Sequence, residues 1–154
     1  MQRTEEDSYQ RLLHRLVQSV RTGSASRALP RQGESGRVPV VGFVDRMIAE
    51  ALRLRASDIH IEPFEGAVRI RYRVDGSLLE THAPIPREVH AFLLARLKVM
   101  AHLESVERRV AQDGRISYMP PEGGEAVDLR LATLPLLAGE KAVLRILNRS
   151  HALL

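Results

Sequence analysis

The chain contains no cysteine and no tryptophan, and only three Phe and three Tyr among its 154 residues. Without thiols there is neither a disulfide framework nor a thiolate metal site, which fits a reducing compartment and makes the cytoplasm the expected location. Six aromatic side chains are too few for a platform on which successive nucleic-acid bases stack. No apolar run approaches the ~18 residues that a transmembrane helix needs. The first turns, with Arg3, Glu5, Glu6, Asp7, Arg11 and Arg15, also lack the apolar heart of a signal peptide.

Catalytic signatures are missing as well. A phosphate-binding loop of the form G-x-x-x-x-G-K-[ST] requires a lysine directly after glycine, yet Lys98 follows Leu97 and Lys141 follows Glu140. There is no H-E-x-x-H, no G-x-S-x-G and no cysteine nucleophile. An enzyme acting on its own is therefore not expected.

What the chain does have is positive charge, unevenly placed. The net charge is +4, but residues 1–37 hold seven Arg against four acids while the rest is nearly balanced. The body should generate no strong field, which argues against nucleic acid as its partner. The length fits one domain with a short appendage, able to bury roughly 70% of its unfolded surface.

Tyr9, Leu13, Leu16, Val17 and Val20 recur at helical spacing, which predicts an amphipathic helix over about 5–21 that must pack on the body or on another protein. Residues 22–37, rich in Gly, Ser and Arg, read as a flexible linker, so the division is 1–37, helix and linker, and 38–150, folded domain. Val41, Val44, Ile48, Ala51 and Leu52 mark a second helix ending near Arg55. Strands are predicted at 58–62, 67–74, 77–80, 116–119, 127–133 and 141–147, with a helix from Pro86 to about His102 between the third and fourth. Asp75-Gly76 is a hairpin signal, and Pro63 to Gly66 and Gln112 to Arg115 read as turns. Helix, three strands, helix, three strands is an α+β domain: a mostly antiparallel sheet of about six strands flanked by helices.

Three constellations stand out. Asp58, His60 and Glu62 share a strand face and could ligate a divalent metal. A four-residue turn would instead set Glu62 opposite Ala67, His60 opposite Arg69 and Asp58 opposite Arg71, so that cross-strand charge pairs account for them and no metal site is expected. In the ladder Arg69, Arg71, Arg73, only Arg73 is then left unpaired. Arg130 and Arg145 sit in apolar strands, Arg145 interrupting Ala142-Val143-Leu144-Arg145-Ile146-Leu147. An arginine in such surroundings needs an anion nearby, either a structural carboxylate such as Asp128 or a nucleotide phosphate.

The run Ala56-Ser57-Asp58-Ile59-His60-Ile61-Glu62-Pro63, followed by Arg69-Ile70-Arg71-Tyr72-Arg73-Val74-Asp75-Gly76, resembles the ATPases of type II secretion and type IV pilus assembly. Lys98-Val99-Met100-Ala101, Gln112-Asp113-Gly114-Arg115, Val127-Asp128-Leu129-Arg130, Thr133-Leu134-Pro135 and Gly139-Glu140 through Leu147 continue the likeness in order. The resemblance covers about residues 41–147. It departs from the usual pattern at Val110-Ala111, where Leu-Pro is common, and at Leu136, where a small polar residue is common.

The resemblance implies a PAS-like N-terminal domain preceding a P-loop ATPase domain that this chain lacks. It implies six copies in a ring, cytoplasmic and held at the inner membrane through platform proteins of the secretion or pilus machine. It further implies that Arg130 and Arg145 reach ATP, with Mg supplied at the ATPase domain. The alternative expectation is a stand-alone interaction module whose basic leading segment binds an acidic protein or nucleic acid.

Overall fold

The computed structural model describes residues 2–23 and 39–147, so most of the expected linker and the last few residues lie outside the described part. Three helices, α1 (Gln2–Arg21), α2 (Pro39–Arg53) and α3 (His90–Met100), accompany seven strands. The strands are β1 (Asp58–Phe64), β2 (Ala67–Val74), β3 (Ser77–Leu79), β4 (Ile85–Pro86), β5 (Gln112–Tyr118), β6 (Val127–Leu136) and β7 (Gly139–Ile146). They form one antiparallel sheet in the order β3-β2-β1-β7-β6-β5, with β4 also beside β2. The class is α+β, as expected.

Period-two alternation decides the faces. Ile59, Ile61, Val68, Tyr72, Ile116, Leu129, Leu131, Ala142 and Leu144 point inward and join Phe43, Val44, Ile48, Leu93 and Leu97 of the helices in a single core. The opposite sheet face carries the charged residues of the strands other than Glu140, and no covering layer among the described elements. On the helical side, α1 docks on the body: Tyr9, Leu16 and Val17 are buried, and the Tyr9 ring stacks on His82 at 3.6 Å and tilts against Phe43 at 5.6 Å. Arg21 reaches Glu88 at 2.8 Å, and Glu6 reaches His82 at 3.1 Å.

The β1–β2 register differs from the expected one by two residues. Asp58 faces Arg73, His60 faces Arg71 and Glu62 faces Arg69. The strand does not stop at Pro63: β1 runs on through Phe64, and the turn is the two-residue Glu65-Gly66, both with positive φ (48° and 76°). Pro63 is tolerated because β1 pairs with β7 only as far as Ile61, so the missing N–H breaks no bond on that side. An even shift keeps every side chain on its expected face. Two further boundaries move: Gln112 to Arg115 lies inside β5 rather than in a turn, and a short 3₁₀ turn at Arg87–Val89 precedes α3.

Candidate functional site

On the open face the antiparallel registers align five residues of five strands. Arg73 of β2 faces Asp58 of β1, Asp58 faces Arg145 of β7, Arg145 faces Arg130 of β6, and Arg130 faces Arg115 of β5. With strands ~4.8 Å apart, the row spans roughly 19 Å. Four guanidinium groups thus line one band with a single carboxylate among them.

Asp58 organises one end. It is only 4% exposed. Its Oδ1 accepts from Arg145 Nε at 3.0 Å, its Oδ2 accepts from Ser57 Oγ at 2.7 Å, and Arg73 Nε lies 3.7 Å away. Burial pushes this carboxyl up, but the Ser57 hydroxyl and the Arg145 guanidinium outweigh it and hold it below the usual aspartate value. Arg73, expected to be unpaired, also donates to the Gly76 carbonyl at 2.9 Å.

Arg145 is not buried, contrary to what its apolar strand suggests: its side chain is 67% exposed. Odd positions of β7 face out, so Lys141, Val143 and Arg145 lie outside while Ala142, Leu144 and Ile146 point into the core. Its carboxylate partner is Asp58, not Asp128. Arg130 is 58% exposed and lies 3.7 Å from Asp113, an exposed carboxylate that holds it loosely. Arg115 is exposed as well. The site therefore brings the two sequence-predicted arginines side by side with their head groups accessible, and adds Arg115 and Arg73, whose matching outward parity was the available signal.

Next to this row, Glu62 gathers a second set of cations. Glu62 accepts from Arg69 at 3.0 Å and from Arg71, with Lys141 at 3.9 Å. Burial is the main influence lowering the His60 imidazole below its ordinary value, and Lys141 adds to it. Asp58 and Glu62 thus serve arginines, and among the described residues no group of three His, Asp or Glu side chains is placed to hold a metal ion.

Other motif residues knit the scaffold. A Cβ on Gly114 would sit 2.8 Å from the Ala101 carbonyl oxygen, so glycine lets β5 press against the end of α3. Lys98 Nζ and Gln112 Nε2 both donate to the Glu107 carbonyl, tying down the loop between α3 and β5. Lys98 is wholly buried and bonds Glu140 at 2.8–2.9 Å. No pairing of these two was foreseen, since nothing local links positions 42 residues apart.

The family model described as type II/IV secretion system protein matches residues 33–154. Type II secretion system protein E of Xanthomonas campestris pv. campestris is 47% identical over 115 residues, covering 75% of this chain and 20% of that protein. Type IV pilus assembly ATPase PilB of Myxococcus xanthus is 43% identical over 113 residues, 73% of this chain and 20% of its own length. An Escherichia coli K12 relative, also named for type II secretion system protein E, is 39% identical over 145 residues, 92% of this chain and 29% of that protein. A match that long necessarily takes in part of α1 along with the sheet domain. The chain spans only about a fifth of the length of the first two relatives.

Proposed function

The chain belongs to the type II/IV secretion system protein family, and from that premise we propose that it is the nucleotide-clasping N-terminal domain of an ATP-driven secretion or pilus-assembly motor, presenting Arg130 and Arg145 to phosphates bound by a P-loop domain. The observation that carries this reading is the row Arg73, Asp58, Arg145, Arg130, Arg115 on the uncovered sheet face. Guanidinium forks match phosphate oxygens in pairs, a geometry lysine cannot offer. Asp58 fixes Arg145 through Nε alone, which orients the group without enclosing it.

Chain direction supports the same arrangement. β7 leaves the sheet at Ile146, one residue after Arg145, so a domain that follows, for which the longer relatives have ample length, would begin beside the row. ATP on such a domain would draw the two together through charge-assisted bonds, and hydrolysis would loosen them. Mg belongs with the P-loop in this scheme. A ring of six copies and attachment to inner-membrane platform proteins are parts of the proposal that follow from the family resemblance. No described helix is long and apolar enough to cross a membrane.

The test uses the full-length motor. Arg145→Ala should lower ATP turnover by about 10- to 100-fold, the worth of one lost hydrogen-bonded charge contact of ~1.5–3 kcal/mol. Arg145→Lys keeps the charge that Asp58 requires and should still be impaired, which separates lost phosphate geometry from lost folding. Unchanged affinity and turnover in both variants would refute the assignment.

A further inference from the structure

At the far end of β7 from Arg145 lies a second cationic feature that the nucleotide reading does not use. Six residue steps along β7 separate Gly139 from Arg145, roughly 20 Å at strand spacing. There a pocket of about 230 Å³ opens between the start of α3 and the β6–β7 hairpin, lined by Arg87, His90, Leu94, Arg108, Leu136 and Gly139.

Each wall has a local cause. Gly139 adopts a φ of 127°, which disfavours side chains, and a Cβ there would lie 2.9 Å from Arg87 Nη2 and 3.6 Å from His90 Cε1. Glycine there lets the Arg87 guanidinium and Pro63 close against the hairpin backbone beside the His90 ring. Arg87 spends one nitrogen on the Ala138 carbonyl, which anchors it across the mouth and leaves its other donors for a ligand. Arg108, an exposed cation, also lines the pocket. Glu140, the one carboxylate at the pocket, is neutralised by Lys98 at 2.8 Å.

His90 supplies the independent sign of a ligand. It is 8% exposed, and its buried Nε2 has no hydrogen-bond partner. Burial is the main influence holding the imidazole below its ordinary value; the Glu140 backbone pulls it up and Arg87 adds to the lowering. A buried ring nitrogen left unsatisfied in a pocket flanked by two arginines is costly unless something fills the space. The start of α3 adds the positive end of a helix dipole with no side-chain cap.

We propose that this pocket binds one oxyanion of phosphate or carboxylate type, gripped by Arg87 and Arg108 and hydrogen-bonded by His90 Nε2. An imidazolium donates from both ring nitrogens, so an anion against Nε2 favours the charged ring over the neutral one. Binding then couples to protonation of His90, with Arg87 and Arg108 opposing that proton and the anion favouring it; the Lys98–Glu140 pair is the remaining charge alongside.

The experiment titrates the isotope-labelled 154-residue chain with inorganic phosphate and, separately, with acetate, following the His90 ring nitrogens by NMR at pH about 5 and about 7.5, because burial holds this ring below the ordinary histidine value. A saturable Nε2 shift, tighter at the lower pH and weakened about tenfold in Arg108→Gln with an unchanged melting temperature, is the expected result. Preference for phosphate identifies a phosphoryl group as the natural source, and equal or better binding of acetate identifies a carboxylate of a partner protein. A shift of equal size and affinity in Arg108→Gln, or no saturable shift with either anion, overturns the proposal.

Discussion

Among single residues, Lys98 is the one whose environment decides its role most sharply. Its ammonium is fully buried, bonded to Glu140 and to the Glu107 carbonyl. Removing one member of a buried pair strands the other, at a cost of ~3–5 kcal/mol, whereas replacing both by apolar groups of similar volume is near neutral. Lys98→Met should therefore destabilise by ~3–5 kcal/mol in urea unfolding, and adding Glu140→Leu should restore most of the loss. Failure to restore would mean that the Glu107 carbonyl, left unpaired in both variants, carries the energy. The lysine was visible in the sequence only as part of a family-like run, because a partner on a distant strand leaves no local trace. Arg145 shows the opposite difficulty. Val143 and Leu147 make its strand look apolar on both faces, yet Val143 shares the outward face, Leu147 lies past the strand end and is exposed, and parity alone places Arg145 outside.

The individual elements were largely legible, since their signals are periodic. The helical stripes of α1 and α2 and the alternation in β1, β2, β6 and β7 each identify an element and its buried face. The β1–β2 register was not legible, because Pro63 reads as a turn residue, while the actual turn, Glu65-Gly66, uses a positive-φ glutamate that sequence does not advertise. The even shift spared the face assignment but changed the partners, giving Glu62 both Arg69 and Arg71 and giving Asp58 to Arg73 and Arg145. This pairing has a pH signature. Burial raises the Glu62 carboxyl, but its bonds from Arg69 and Arg71 prevail and hold it below the ordinary glutamate value. A carboxyl depressed in the folded state contributes stability above its unfolded pKa of about 4.3 and loses it as pH falls through the folded value. Glu62→Gln should accordingly be less stable than the parent at neutral pH, and the two urea midpoints should converge as the pH drops below about 4. A gap that persists undiminished in acid would assign the contribution of Glu62 to packing.

For the molecule as a whole, the question is whether the arginine row is a binding site or half of one. Arg145 and Arg130 are more than half exposed, and nothing in the described chain encloses an anion placed above them. Exposed ion pairs contribute ~0.2–1 kcal/mol each, so four such contacts supply at most ~4 kcal/mol. That corresponds to a dissociation constant near 1 mM or weaker, about −4.1 kcal/mol. Calorimetric titration of the 154-residue chain with ATP should therefore show millimolar or weaker binding that salt abolishes, because screening removes most of an exposed interaction. The near-even charge of residues 38–154 points the same way: the body does not concentrate anions by a long-range field. Micromolar affinity for ATP would make the sheet face a complete nucleotide site and would shift the chemistry from clasping a phosphate held by another domain to holding the nucleotide itself. Weak binding, together with a strong effect of Arg145→Ala on the full-length protein, is the combination that the proposed clasp requires.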